Sequence, residues 1–180
     1  MSELKTENIE LTETENNGKS ASAVDTHCYS NGVQKELIEL CHDDLLEPAV
    51  KLLKRSGKMW KCSNVFCDLA TAASEQPDAF GIGSGFTSLV EVKVTRSDFH
   101  AGKKKFFRQH PEWGMGNYRF YLCPEGLIKP DEIPENWGLA YWTEKKANVI
   151  VKPDWQESHQ KREIAFVNSV LRRINADELL

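Results

Sequence analysis

Residues 77–99 read PDAFGIGSGFTSLVEVKVTRSDF, and the interpretation of this stretch decides the fold. Gly83, Ser84 and Gly85 form a turn cluster between two runs that favour strands, 78–82 and 86–95. Such an arrangement predicts a β-hairpin. In the second run Val90, Val92 and Val94 alternate with Glu91, Lys93 and Thr95. Side chains on a strand alternate between its faces, so the valines face one way and Glu91 and Lys93 the other. With the turn at 83–85, residues 79–82 pair with roughly 86–90, and Glu91 falls beside Asp78 at one end of the hairpin. Gly81, Gly83 and Gly85 lack the Lys-Ser/Thr partner of a phosphate loop and the spacing of a dinucleotide fingerprint, which leaves them as turn residues.

Upstream, 34–41 and 44–56 show apolar residues at helical spacing, with Leu45, Leu46, Ala49, Val50, Leu52 and Leu53 in one stripe. Asp43 or Asp44 is placed to cap the second helix, and Gly57 follows its end. A short strand is expected over 64–69 and a loop over 71–77. Downstream, Ser97 is placed to cap a helix over about 98–109, and Pro111 stands just beyond it. Strands are expected over 117–123, 138–142 and 147–151, and an amphipathic helix over 158–174. The order is helix, three strands, helix, strand, then additions. Alternation of this kind predicts an α/β protein with a central mixed sheet flanked by helices.

The 180 residues carry a formal net charge of −4, unevenly spread. Residues 1–26 hold six acids against Lys5 and Lys19, whereas 91–120 hold seven Lys or Arg against three acids. Residues 1–32 are rich in Glu, Thr, Asn and Ser and poor in apolar residues, the composition of a disordered acidic tail ahead of one domain over 33–180. No run of 18 apolar residues suggests a membrane span and no apolar leader is evident, so a cytoplasmic protein is expected. The five cysteines lack zinc-site spacing and read as reduced thiols.

Two carboxylates converging at one end of a hairpin suit a hard cation. Mg²⁺ commonly takes one or two carboxylates and fills its remaining positions with water and phosphate. A lysine on the same face can orient a metal-bound water and offset charge on a phosphate undergoing transfer. Arg96, Lys103, Lys104, Lys105 and Arg108 then lie on or near the following helix. Phe99, Phe106 and Phe107 are available to anchor that helix to the sheet, leaving a basic face for DNA phosphates. Trp113, in the loop PEWGMG, is a candidate to stack on a base.

Pro77-Asp78 followed by Glu91-Val92-Lys93 resembles the signature of the PD-(D/E)XK, or restriction-endonuclease-like, nucleases. The longer string LVEVKVTRSDFHAGKKKFF, with NYRFYLCPEGLI after it, is similar to small bacterial and phage proteins near the MmcB-type DNA-repair family. The resemblance covers roughly 44–142. It implies a restriction-endonuclease-like core and a metal-dependent deoxyribonuclease of a bacterial or phage-infected cell, acting in DNA repair or phage DNA metabolism. By position it implies Asp78 and Glu91 as ligands of Mg²⁺ or Mn²⁺, the main-chain carbonyl of Val92 as a further ligand, and Lys93 as the residue that positions the attacking water. An acid from the first helix often completes such sites; Glu47 is the candidate, with Glu36 and Glu39 behind it. A homodimer would let two such sites cut both strands. The alternatives are a non-catalytic DNA-binding or anti-defence protein on the same fold, and a nuclease directed at RNA.

Overall fold

The computed structural model describes residues 40–69 and 75–174, all within the unit spanning residues 38–180. The tail expected over 1–32 and the domain boundary at 33 lie outside the described residues. So does the helix expected over 34–41, apart from Leu40 and Cys41, which are not helical.

The chain enters through a 3-10 turn, Asp43–Leu45, that runs into α1 (Leu46–Leu53). Neither Asp43 nor Asp44 caps α1 itself; Asp44 instead accepts a bond from the Cys41 amide at 2.8 Å. Next come β1 (Asn64–Cys67), β2 (Ala79–Ile82) and β3 (Thr87–Val92), then α2 (Arg96–Lys103) and α3 (Phe106–Gln109). A 3-10 turn at Pro111–Trp113 leads to β4 (Tyr118–Pro124), followed by β5 (Trp137–Trp142), β6 (Ala147–Val151) and α4 (Gln160–Arg173).

The six strands form one sheet in chain order, β1 to β6. β1, β2 and β3 are mutually antiparallel, β3–β4 and β4–β5 are parallel, and β5–β6 is antiparallel. Each parallel pair needs a crossover of a dozen residues or more. α2 and α3 lie in the first crossover, and the second contains a 3-10 turn at Pro130–Glu132. The mixed sheet flanked by helices is the α/β architecture the sequence predicts, with the helix, three strands, helix, strand order intact.

The hairpin register has Ala79 opposite Val90 and Ile82 opposite Thr87. Its turn closes through a bond from the Gly83 amide to the Phe86 carbonyl at 2.9 Å, with Gly85 at φ +82°, a conformation open to glycine at little cost. One face of the sheet packs Ala79, Val90, Val92, Phe120 and Leu122 against Leu45, Ala49, Leu52 and Leu53. The other packs Phe80, Leu89, Tyr121, Trp137 and Leu139 against Phe99 of α2 and Phe166 and Val170 of α4. No described helix is long and apolar enough to cross a membrane.

Several boundaries differ from expectation: β1 ends at Cys67 rather than at 69, and α1 spans Leu46–Leu53 rather than 44–56. Strand β3 ends at Val92 rather than at 95, and the helix that follows is capped by Thr95, whose Oγ1 accepts from the Asp98 amide at 3.2 Å, rather than by Ser97. Leaving the sheet three residues early accompanies a helix start two residues earlier than expected. The single helix expected over 98–109 is broken as well: Lys105 adopts φ −61°, ψ 141°, an extended conformation that restarts the chain as α3 at a new angle.

Candidate metal and nucleic-acid site

Glu91 lies on β3, on the face covered by α2, and is 2% exposed. A carboxylate this buried is costly unless paired, and three cations surround it. Lys93 Nζ is 3.8 Å from its Oε2, Lys105 Nζ is 3.4 Å from the same oxygen, and Arg108 Nη2 is 3.2 Å from Oε1.

Asp78 stands just outside β2. With Ala79 opposite Val90, Asp78 falls level with Glu91 on the neighbouring strand. Its Oδ2 accepts from the Val92 amide at 2.7 Å, and its Oδ1 lies 3.1 Å from His42 Nε2. Burial, and after it the nearby Glu91 carboxylate, hold the Asp78 carboxyl above its ordinary range, against the pull of the Val92 amide, His42 and Lys93. A carboxyl whose charge is disfavoured by burial and by a neighbouring carboxylate marks a place where a cation is welcome.

Lys93 is 4% exposed and continues the strand direction for one residue, its amide donating to the Leu122 carbonyl at 2.9 Å. Its ammonium also donates to both oxygens of Asp98, at 3.2 and 3.0 Å, in the first turn of α2. One turn further, Gly102 faces the Lys93 side chain at ordinary van der Waals distance. Thr95 caps the start of α2 beside Lys93, and Asp98 sets the direction of the ammonium.

Arg108, on α3, joins two acids. Its Nη1 lies 3.2 Å from Glu75 Oε1 while Nη2 reaches Glu91, and its Nε donates to the Tyr121 hydroxyl at 3.2 Å. Its guanidinium carbon lies 4.1 Å from the centre of the Trp137 ring. Glu75 also accepts from the Met115 amide at 2.6 Å, and burial pushes its carboxyl up despite Arg108.

The structure therefore brings Asp78, Glu91, Val92 and Lys93 together. It does not bring Glu47 to them: that side chain is exposed and paired with Lys51 at 2.8 Å, one helical turn away. Of the five expected phosphate contacts, Arg96 is held by both oxygens of Glu132 at 2.6 and 2.7 Å, and Arg108 is buried between acids. Lys105 is half-exposed on Glu91, while Lys103 and Lys104 are open, Lys103 over the Phe99 ring at 4.6 Å. His42, Glu75 and Asp98 join the cluster without any sequence signal, because only the folded chain carries them there.

Among the described residues no group of three His, Cys, Asp or Glu side chains could hold a metal ion. The donor set is two coupled carboxylates beside the Val92 backbone. That is too poor in nitrogen and sulfur for a structural zinc site. It fits a hard divalent cation that keeps most of its water.

No family model matches the chain, and no curated protein matches it. Among solved structures, a protein of unknown function from Silicibacter pomeroyi aligns at 21% identity and a TM-score of 0.47, over 63% of this chain and 78% of that one.

Proposed function

We propose that the chain is a metal-dependent nuclease of the PD-(D/E)XK type that hydrolyses phosphodiester bonds in DNA. The observation that carries the reading is the register of β2 against β3, which sets Asp78 level with Glu91. Lys93 stands on the same face, 3.8 Å from the Glu91 carboxylate. Asp78 and Glu91 would hold Mg²⁺ or Mn²⁺ beside the Val92 backbone. The ion, when bound, would supply an activated water and neutralise phosphate charge. Asp78 is held in place by the Val92 amide, and Lys93 is aimed by Asp98, so neither side chain needs to reorganise on binding. Lys93 orients the attacking water and offers a positive charge to the phosphate; Lys103 and Lys104 add exposed charge beside it.

One observation favours a second reading, a binding module that does not cut. Glu91 already has three cationic neighbours, as a carboxylate with a purely structural role would. Labelled single-stranded, duplex and branched DNA, incubated with Mg²⁺, Mn²⁺ or EDTA and with wild type or Lys93→Ala, separates the two. Cutting that requires metal and Lys93 supports the nuclease. Binding without cutting, equal in both proteins, supports the binding module.

A further inference from the structure

The short helix α3 and the residues that flank it, Lys105 and His110, present two different sides. Lys105 and Arg108, three residues apart, point to Glu91 at 3.4 and 3.2 Å. Phe106 and His110, four residues apart, lie on another face with ring centres 4.5 Å apart. Phe106 is 50% exposed, and Trp113, on the next turn, is 43% exposed. Their rings stand 6.3 Å apart, close enough to form one aromatic surface. Large aromatic side chains left this open on two consecutive turns contribute little to the core, and their exposure calls for an occupant.

We infer that Phe106 and Trp113 form a stacking site for unpaired nucleobases of the strand whose phosphate sits at the Asp78–Glu91 corner. The inference rests on the nuclease reading and narrows its substrate to nucleic acid with single-stranded character. Three observations carry it. Phe106 directly follows Lys105, whose ammonium lies 3.4 Å from Glu91, so the patch adjoins the ionic corner in the chain. The patch is also held rigid. Arg119 donates to the carbonyls of Gly116, Pro111, Gly114 and Glu157 at 2.9, 3.0, 3.1 and 3.1 Å, fixing the loop that carries Trp113. His159 stacks on Trp113 at 5.0 Å, with ring planes 19° apart. A platform fixed in advance loses little entropy when a base arrives.

The third observation is charge. Just ahead of Phe106 in the chain, Lys103 and Lys104 are exposed and Lys105 is half-exposed, while Asp98 is held by Lys93. Arg162 adds a guanidinium 4.4 Å from Phe107 and 5.6 Å from Trp113. Glu112 lies against His110 at 3.6 Å. Aromatic rings set among cations suit a polyanion with flat apolar bases, because stacking tolerates any base while the cations follow the backbone.

The test is fluorescence anisotropy of the full chain in EDTA with labelled strands of about twelve nucleotides. Oligothymidylate, oligouridylate, an abasic strand of equal length and a duplex are compared. Wild type is expected to hold both base-bearing single strands at least about 25-fold more tightly than the abasic strand, about fivefold or more for each of two stacked bases. Phe106→Ala and Trp113→Ala are each expected to weaken binding of oligothymidylate by about five- to 150-fold, while binding of the abasic strand changes less than about twofold. Trp113→Phe, which keeps an aromatic ring, is expected to restore most of the loss. Unchanged circular dichroism in the variants checks the fold. Equal affinity for base-bearing and abasic strands, or variants that bind like wild type, overturns the inference and assigns the patch to another occupant such as a protein. Those results leave the nuclease reading standing if metal-dependent cutting persists. Failure to bind or cut any nucleic acid overturns both.

Discussion

The two faces of β3 are built from alternate residues of one strand, yet they have different purposes. Val90 and Val92 enter a dry, largely hydrocarbon layer with Leu45, Ala49, Leu52 and Leu53. Leu89 begins the opposite layer in the same manner, but two residues on the position is Glu91, and Lys93 follows. There the layer becomes a buried ionic corner of Glu75, Glu91, Lys93 and Arg108. The first face lowers the free energy of the fold by removing apolar surface from water. The second must offset the cost of burying charge before it contributes anything, and well-packed apolar residues could often replace such a network without loss of stability. The contrast separates a surface that holds the chain together from one that buries charge.

Truncation on the dry face is the sharpest test of that division. Leu53 is fully buried, so Leu53→Ala is expected to lower unfolding stability by about 2–5 kcal/mol in urea titrations. Cutting of DNA by the fraction that remains folded should be little altered. On the other face the pattern reverses. Lys93→Ala is expected to reduce the cleavage rate by about 100- to 1000-fold, the usual loss when one preorganised charge is removed from a reacting phosphate. Its melting temperature should fall far less than that of Leu53→Ala, because Glu91 keeps Lys105 and Arg108 as partners. A Lys93→Ala protein that unfolds like Leu53→Ala but still cuts would erase the distinction between the faces.

Lys105 offers a finer test. It is half-exposed, and its ammonium lies 3.4 Å from the carboxylate assigned to the metal. A cation there repels an incoming divalent ion and competes for Oε2. Screening by water limits the effect to about 1 kcal/mol. Lys105→Ala is therefore expected to tighten Mn²⁺ binding about fivefold in calorimetric titrations without DNA. Weaker binding in the variant would mean that Lys105 supports the site rather than guarding it.

The hairpin was legible because it needs only period-two alternation and a glycine turn, both local features. Its register follows from the turn, and the meeting of Asp78 and Glu91 follows from the register. The strands from Tyr118 to Val151 were legible as short runs rich in aromatic and branched residues. The break between α2 and α3 was not, because Lys103, Lys104 and Lys105 are all good helix formers. What accompanies the bend is tertiary, with Lys105 and Arg108 both paired with Glu91. Glu75 and His42 were invisible for a related reason: a loop residue and a residue before a helix gain their meaning only from what folds beside them. Glu47 shows the converse. The family resemblance offered it as the acid of the first helix, but Lys51, four residues on, takes its carboxylate by helix geometry alone.

The smallest effect lies at the edge of the ionic face, where Arg96 is tied to Glu132. The Arg96 guanidinium donates to both carboxylate oxygens, and the Lys129 amide donates to Oε2 at 2.8 Å. These bonds, Arg96 first, pull the Glu132 carboxyl down from its ordinary 4.5 to about 2. A depressed carboxylate contributes stability that is complete above its unfolded value and disappears as pH falls through its folded one. Glu132→Gln is therefore expected to melt below wild type at neutral pH, with the gap closing as pH falls from about 4.5 and gone near 2. Arg96 also donates to the Leu127 carbonyl at 3.0 Å and lies 3.1 Å from His100, so it fastens the start of α2 to the chain beyond β4. If Arg96 is an anchor for α2 rather than a phosphate contact, Arg96→Gln should show the same narrowing gap and leave the salt dependence of DNA binding unchanged. A shallower salt dependence, by about one counterion, would instead mean that DNA draws Arg96 away from Glu132 when it binds.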